Sequence, residues 1–199
     1  MRKYSQLNIK EIDLICDYLR KPSKSIEKDK SRRKKLYEIG FHRVPKKGGT
    51  NSKFLTGPLG EGIVRLYYEK LNIPYIDEVS YQKYINRFGE EKKLKPDGLI
   101  VKRYHMNWVE SKMRAYCSTG TANEKIPSVP RKYKPLGGKL TLFLMADDEH
   151  QFNKEWYGIC RGEIKPQDEI EENWKKADNS VLDKIVLGTE VANILDQTI

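Results

Sequence analysis

Residues 95–112 read KPDGLIVKRYHMNWVESK, and the rest of the chain is best interpreted outward from this stretch. The apolar, β-prone runs 99–101 and 108–109 predict two short strands, and residues 103–107 predict the turn between them. Alternate side chains of a strand point to one face, so we expect Glu110 and Lys112 to share a face. If the two strands are antiparallel neighbours, Asp97 at the start of the first lies close to Glu110.

Two carboxylates and one ammonium at the end of a sheet suit the hydrolysis of phosphodiester bonds. Mg²⁺ takes oxygen ligands and is usually held by one or two carboxylates, with water and substrate phosphate completing its coordination. The bound metal acidifies water and offsets the charge that develops on the phosphate. A neighbouring lysine can pair with the phosphate and orient the attacking water. Asp97, Glu110 and Lys112 are therefore candidate catalytic residues.

At these positions the chain resembles the PD-(D/E)xK nuclease superfamily, and within it the type II restriction endonucleases. Pro96-Asp97 matches the first half of the family motif, and Glu110-Ser111-Lys112 matches the second. The resemblance implies an α/β, restriction-endonuclease-like core with a mixed central sheet flanked by helices. It also implies that Asp97, Glu110 and the backbone carbonyl of Ser111 bind Mg²⁺, for which Mn²⁺ can substitute, and that Lys112 is the catalytic lysine.

Glu61 has two interpretations that the sequence leaves open. Residues 60–71 predict a helix, with Leu59, Ile63 and Tyr67 on its apolar side. A carboxylate in the first turn of a helix complements the helix dipole. The family resemblance implies instead that an acidic residue on the helix before the sheet reaches the metal, which makes Glu61 a further candidate ligand.

Other segments predict the elements around this motif. Residues 8–20 predict a helix capped by Asn8, and residues 25–38 predict a basic helix capped by Ser25. Residues 78–85 alternate like a strand, with Val79, Tyr81 and Ile85 expected to point inward. The continuous apolar run 140–146 predicts a buried central strand, parallel to the strand that carries Glu110 because a crossover joins them.

We divide the chain into three segments. Residues 1–56 form a basic, helical N-terminal segment that is predicted to contact DNA. Residues 57–162 form the nuclease core, and residues 163–199 form a helical tail that packs on the core or on a dimer partner. The basic loop 42–54 and the region after the motif supply the candidate DNA-binding residues, which are Lys46, Lys47, Asn51, Lys53, Lys125, Arg131, Lys132 and Lys134.

Composition favours a nucleic-acid partner. The formal net charge is +10, and Lys and Arg that neutralise phosphates release counterions on binding. The three cysteines, Cys16, Cys117 and Cys160, lie far apart without a Cys-x-x-Cys pair, which suits a reducing compartment. No apolar run approaches the length of a membrane span, and the N-terminus lacks a signal-peptide core. We therefore expect a cytoplasmic, intracellular protein that does not enter a membrane.

With this resemblance, we predict a Mg²⁺-dependent type II restriction endonuclease that cuts double-stranded DNA at a short specific sequence. The resemblance implies that the products carry 5′-phosphate ends. Because such recognition sites have two-fold symmetry, we expect a homodimer. Two alternatives stay open. One is another nuclease of the same superfamily, such as a junction resolvase or repair nuclease, which would use the same motif residues. The other is a basic DNA-binding protein that does not cut.

Overall fold

The computed structural model describes residues 3–21, 29–40, 56–77, 79–86, 88–113, 128–145 and 181–197. Its centre is a four-stranded sheet in the order β3-β4-β5-β6. These strands and the two strands of a separate hairpin are β1 Gln82–Ile85, β2 Glu91–Leu94, β3 Gly98–Val101, β4 Met106–Met113, β5 Lys139–Met145 and β6 Leu182–Leu187. The described helices are α1 Ile9–Arg20, α2 Lys30–Gly40, α3 Thr56–Lys70, α4 Ser128–Tyr133 and α5 Gly188–Asp196.

The sheet is mixed, as predicted for an α/β protein. Strands β3 and β4 are antiparallel, whereas β4 pairs with β5, and β5 with β6, in parallel. The predictions of an antiparallel motif pair and of a parallel crossover strand are therefore confirmed. Strand β4 begins at Met106, two residues earlier than the apolar run predicted, because Met106 and Asn107 continue the ladder with β3.

The sheet separates two apolar cores. Phe143 and Met145 face a core built with α1, α3 and α5, while Leu140, Leu142 and Leu144 face a smaller core that includes Trp108 and Tyr133. Because β5 is covered on both sides, it reads as a continuous apolar run rather than an alternating one. The two cores hold β4 between them, and β4 carries Glu110 and Lys112.

The first helix follows local capping rules. Asn8 accepts a hydrogen bond from the backbone N–H of Glu11 at 3.0 Å, and the Glu11 carboxylate accepts one from the N–H of Asn8 at 3.0 Å. This reciprocal pair confirms the predicted start of α1. Helix α1 then packs against α5, where the Cys16 thiol donates to the carbonyl of Ala192. The N-terminal helix is thus part of the larger core.

Two predictions are wrong, and two others concern residues that the structure does not describe. Residues 182–187, expected in a helical tail, form β6, because the β-branched pair Ile185-Val186 extends the parallel ladder of β5. Tyr81 and Ile85, expected to point inward, are 66% and 61% exposed, because the hairpin of β1 and β2 turns that face to solvent. The proposed cap Ser25 and the basic loop 42–54 lie outside the described residues.

Within the described ranges, no helix combines the length and the apolar character needed to cross a bilayer.

Candidate functional site

The register of β3 and β4 brings the two motif carboxylates together. Gly98 lies opposite Val109, so the next pair along the ladder is Asp97 and Glu110. Asp97 does not merely lie near β4: its Oδ2 accepts a hydrogen bond from the backbone N–H of Ser111 at 2.7 Å. This bond fixes the carboxylate of Asp97 beside the strand that carries the second half of the motif.

Gly98 is required by a close approach of Tyr75. A Cβ at position 98 would overlap the phenol ring of Tyr75, so a residue larger than glycine would displace that ring. The Tyr75 hydroxyl donates a long hydrogen bond, 3.4 Å, to the backbone carbonyl of Asp97. The Pro-Asp-Gly sequence therefore has a structural reason, because the glycine lets a buried aromatic ring support the strand start where Asp97 lies.

Glu110 is held from two sides. The ammonium of Lys112 donates to Oε1 in an ion pair, and the hydroxyl of Tyr133 donates to Oε2 at 2.5 Å. Tyr133 lies at the end of α4 and is 1% exposed. Tyr133 was not among the predicted site residues, because no local pattern connects it with a strand more than twenty residues away. Its only sequence signal is an aromatic residue in the crossover between the strand of Glu110 and the apolar run 140–146.

Helix α3 approaches the site through a glycine. A Cβ on Gly60 would lie 2.6 Å from Ser111 Oγ and 3.2 Å from Met113 Cβ, so α3 packs directly on β4. The next residue on the helix is Glu61, which is exposed at the edge of the sheet. Its carboxylate interacts electrostatically with Glu110 and Lys112. The structure therefore brings Glu61 near the motif residues.

The site concentrates negative charge that is poorly compensated. Burial, followed by the charge of Glu110, raises the pKa of Asp97 to about 7, although the Ser111 N–H and Lys112 act in the opposite direction. The pKa of Glu61 is also raised, chiefly because protein surrounds its carboxyl group, with Lys95 lowering it and Glu110 raising it. Partly buried, like-charged carboxylates such as Asp97 and Glu110 are typical of functional sites, because folding alone gives no reason to bring them together.

Comparisons with protein-family models, with curated proteins and with solved structures give no match to this chain. The function is therefore argued from the residues of the site.

The donor set fits a hard divalent cation held by few protein ligands. In the described ranges, no three His, Cys, Asp or Glu side chains form a group arranged to hold a metal ion. Mg²⁺ does not need such a cage, since one or two carboxylates suffice when water and phosphate supply the remaining ligands. Asp97 and Glu110 provide two carboxylates at neighbouring positions, one at the start of β3 and one on β4. A bound cation would offset both the burial and the repulsion from Glu110 that raise the pKa of Asp97.

The candidate DNA-binding residues are described only in part. Lys132 and Lys134 are exposed, at the end of α4 and just after it. Arg131 is in α4, but its side chain is outside the description. The remaining candidates lie outside the described residues and stay predictions, namely Lys46, Lys47, Asn51, Lys53 and Lys125.

Proposed function

We propose that this protein is a metal-dependent endonuclease that hydrolyses phosphodiester bonds in double-stranded DNA, with a restriction-endonuclease-like core of the PD-(D/E)xK type. Recognition of a short specific sequence by a homodimer, as in type II restriction enzymes, is the form of this activity that we favour. The products would carry 5′-phosphate ends, and the protein would act inside the cell.

One observation supports this proposal above the others. Asp97 is bonded to the backbone of β4 at Ser111, while Glu110 and Lys112 emerge beside it from the same strand. A motif of Pro-Asp and Glu-x-Lys arises in many basic sequences, but most such pairs have no reason to meet. Here the antiparallel register brings the two halves of the motif together at the start of β3. The excess of positive charge on the whole chain supports a polyanionic substrate.

Each residue of the site has a role in this chemistry. Asp97 and Glu110 would hold Mg²⁺, together with the Ser111 carbonyl. Glu61, whose carboxylate interacts electrostatically with Glu110 and Lys112, would act on the metal through water. The bound metal would acidify water and stabilise the charge that develops on phosphorus. The Lys112 ammonium, now paired with Glu110, would turn to the phosphate and to the attacking water and orient the water for in-line attack. As the water oxygen bonds to phosphorus, the water would release a proton to solvent. The bond from phosphorus to the 3′-oxygen would break, and the 3′-oxygen would take up a proton from solvent.

The first alternative, a junction resolvase or repair nuclease, uses the same residues and differs only in its DNA substrate. A second alternative is a DNA-binding protein without catalysis. The charge of the chain supports this reading equally well, but it gives no reason for the buried repulsion between Asp97 and Glu110. The described structure therefore favours an enzyme over a binding module.

The decisive experiment is digestion of plasmid DNA by purified protein with Mg²⁺, with Mn²⁺ and with chelator. We expect discrete fragments that require the metal and that disappear with Lys112→Ala. The matched control is Lys184→Ala, which removes an exposed lysine from β6. Cleavage of a four-way junction but not of plain duplex would identify the resolvase, and no cleavage of any DNA with either metal would contradict the enzyme proposal.

A further inference from the structure

The hairpin of β1 and β2 has one face that is covered and one that is not. Residues opposite each other in an antiparallel pair share a face, and here Lys83 pairs with Lys93 and Ile85 with Glu91. All four are exposed. We call them, with Tyr81 and Lys95 at the open end, the outer face. The opposite face carries Leu94, which packs against the smaller core.

The outer face combines apolar and basic groups in a way that folding does not require. Tyr81 is 66% and Ile85 is 61% exposed, and lysines stand between them. Lys83 forms an ion pair with Glu91 at 3.3 Å, with both side chains more than half exposed. An exposed pair of this kind contributes little stability, so Lys83 can exchange Glu91 for a phosphate at small cost. Exposed apolar groups interleaved with lysines indicate a binding surface.

Asn86 forms side-chain hydrogen bonds within the tip of the hairpin. Its side-chain oxygen accepts hydrogen bonds from the N–H groups of Phe88 at 2.9 Å and of Glu90 at 3.0 Å. Gly89 adopts a positive φ of 78°, which a residue with a side chain rarely does, and this closes the turn. The turn presents Phe88 with 71% of its surface exposed. A large apolar side chain that is mostly exposed at the tip of a hydrogen-bonded turn is suited to insertion into a partner.

The outer face leads into the candidate active site. Lys95 follows β2 directly and precedes Asp97 by two residues, so the end of the hairpin leads the chain into the candidate active site. The positive charge of Lys95 also lowers the pKa of the Glu61 carboxyl group. A polyanion lying along the outer face would therefore extend toward Asp97 and Glu110.

We propose that the outer face of the hairpin binds double-stranded DNA, with Lys83 and Lys93 on phosphates and Phe88 entering the groove at the tip. The choice of DNA as the bound polymer rests on the proposed function. Duplex DNA fits better than duplex RNA, because the major groove of B-DNA admits a two-stranded β-ribbon, whereas that of A-form RNA is too narrow. In the major groove, an apolar side chain such as Phe88 can contact the methyl group of thymine.

Salt dependence of binding tests the phosphate contacts directly. Binding of the full chain to a short fluorescent DNA duplex would be measured by anisotropy in chelator, between about 50 and 200 mM salt. Each phosphate contact contributes about 0.9 to the slope of log K against log salt. We expect the double variant Lys83→Ala, Lys93→Ala to lower the slope by about 2. The control is Arg103→Ala, Lys184→Ala, which removes the same charge from the turn between β3 and β4 and from β6 and should leave the slope unchanged.

The tip is tested separately with Phe88→Ser. We expect roughly tenfold weaker binding with an unchanged salt slope, because the variant loses an apolar contact and no ionic one. The control is Tyr104→Ser, which alters an 83% exposed aromatic residue in the turn between β3 and β4 and should bind as the wild type does. Circular dichroism would verify that every variant is folded.

The inference and the proposed nuclease fail in distinguishable ways, because binding is measured without metal. If the protein binds DNA through the hairpin but never cuts, the inference stands and the enzyme does not. If the protein cuts, but the hairpin variants bind with wild-type slope and affinity, the inference alone is overturned. Loss of a dimer in Phe88→Ser, without an effect on DNA binding by the remaining species, would assign the outer face to a second copy and overturn it too.

Discussion

Strand β4 carries polar side chains at both ends, and the two ends differ in how those side chains are satisfied. At its start, the side-chain amide of Asn107 donates to Thr141 Oγ1 at 3.1 Å and to Asp183 Oδ2 at 2.8 Å. Lys102 Nζ also donates to Asp183 Oδ2, at 2.6 Å. We call these four residues the amide network. At the other end lies the acidic cluster, which consists of Asp97, Glu110, Lys112 and Glu61.

The amide network and the acidic cluster shift the pKa of their aspartates in opposite directions. In the amide network, the hydrogen bond from Lys102 lowers the pKa of Asp183, so the fold favours its charged form. In the acidic cluster, burial and Glu110 raise the pKa of Asp97 to about 7, so the fold disfavours its charge. The amide network thus pairs its charged groups within the fold and stabilises the sheet. The acidic cluster keeps like charges close together without full compensation, which is expected where a bound cation or substrate completes the arrangement.

The largest expected difference is in catalysis. We predict that Asp97→Asn lowers the rate of DNA cleavage by at least about 1,000-fold, because it removes a charged metal ligand worth several kcal/mol in the transition state. The same change at the other end of β4, Asp183→Asn, should leave the rate within about twofold. Single-turnover cleavage at saturating Mg²⁺ measures both. Equal losses in the two variants would show that the contrast between the ends is not functional.

The amide network should dominate stability instead. Asn107 is 1% exposed, and Asn107→Ala leaves Thr141 and Asp183 without their shared partner. We expect a loss of about 3 kcal/mol in the free energy of unfolding, because the variant loses two hydrogen bonds and the packing of a buried side chain. Thr141 and Asp183 keep Tyr68 and Lys102, respectively, as partners. Urea denaturation measures this loss, and the exposed Asn193→Ala serves as the control with a change within about 0.5 kcal/mol. A lower cleavage rate per folded molecule of Asn107→Ala would contradict the assignment of stability to the amide network and of catalysis to the acidic cluster.

The acidic cluster was the more predictable of the two ends. Asp97, Glu110 and Lys112 follow from strand periodicity, because period-two alternation and an antiparallel turn suffice to place them. Asn107 was assigned to a turn, since an asparagine beside a charged loop resembles turn chemistry more than a buried strand position. Its partners come from β5 and β6, and no local pattern brings those strands to it.

Other failures have the same physical origin. Strand β2, Glu91–Leu94, has three charged residues in succession and no alternation, so only its pairing with β1 defines it. Strand β6 was predicted as helix because its apolar spacing is ambiguous, and a parallel neighbour decided the outcome. Tyr133 reaches Glu110 only through tertiary packing. The sequence therefore predicts the elements that have a local pattern. It does not predict the elements and contacts that form only because a distant strand or helix packs against them.

The pH dependence of stability tests the charge conflict without any assay of activity. In the unfolded chain Asp97 loses its proton near its ordinary pKa of 3.8, and in the folded protein near 7. Between these values the folded state holds the extra proton, so the free energy of unfolding falls as pH rises through this window and stays low above it. We expect metal-free Asp97→Asn to be more stable than the wild type by about 2 kcal/mol at about pH 8, and equally stable at about pH 4.

Thermal melting across this pH range measures the difference in stability between Asp97→Asn and the wild type. The response of each protein to Mg²⁺ provides a second test. Added Mg²⁺ should raise the melting temperature of the wild type at about pH 8 and leave Asp97→Asn unchanged, because a ligand that binds only the folded state stabilises it. Asp183→Asn is again the control, and it should retain the response to Mg²⁺. A destabilised Asp97→Asn at high pH would mean that the hydrogen bond from Ser111 outweighs the repulsion from Glu110.

The smallest expected effect compares two buried tyrosines, one at each end of β4. Tyr133 donates to Glu110 Oε2, and Tyr68, on α3, hydrogen-bonds with Thr141 of the amide network. Each Tyr→Phe change removes one hydroxyl and leaves the ring in its core. We predict that Tyr133→Phe lowers cleavage or Mg²⁺ affinity about tenfold, because Glu110 loses the group that orients it. Its stability should change by about 1 kcal/mol.

Tyr68→Phe should give the opposite profile, with a similar loss of stability and wild-type dependence on Mg²⁺. The measurements are cleavage rate against Mg²⁺ concentration and urea denaturation of both variants. A purely structural role for Tyr133 would move stability alone and leave the Mg²⁺ curve unshifted. Because the two variants make the same chemical change at opposite ends of one strand, a shifted Mg²⁺ curve in Tyr133→Phe alone would attribute the effect to Glu110 and not to the loss of a buried hydroxyl.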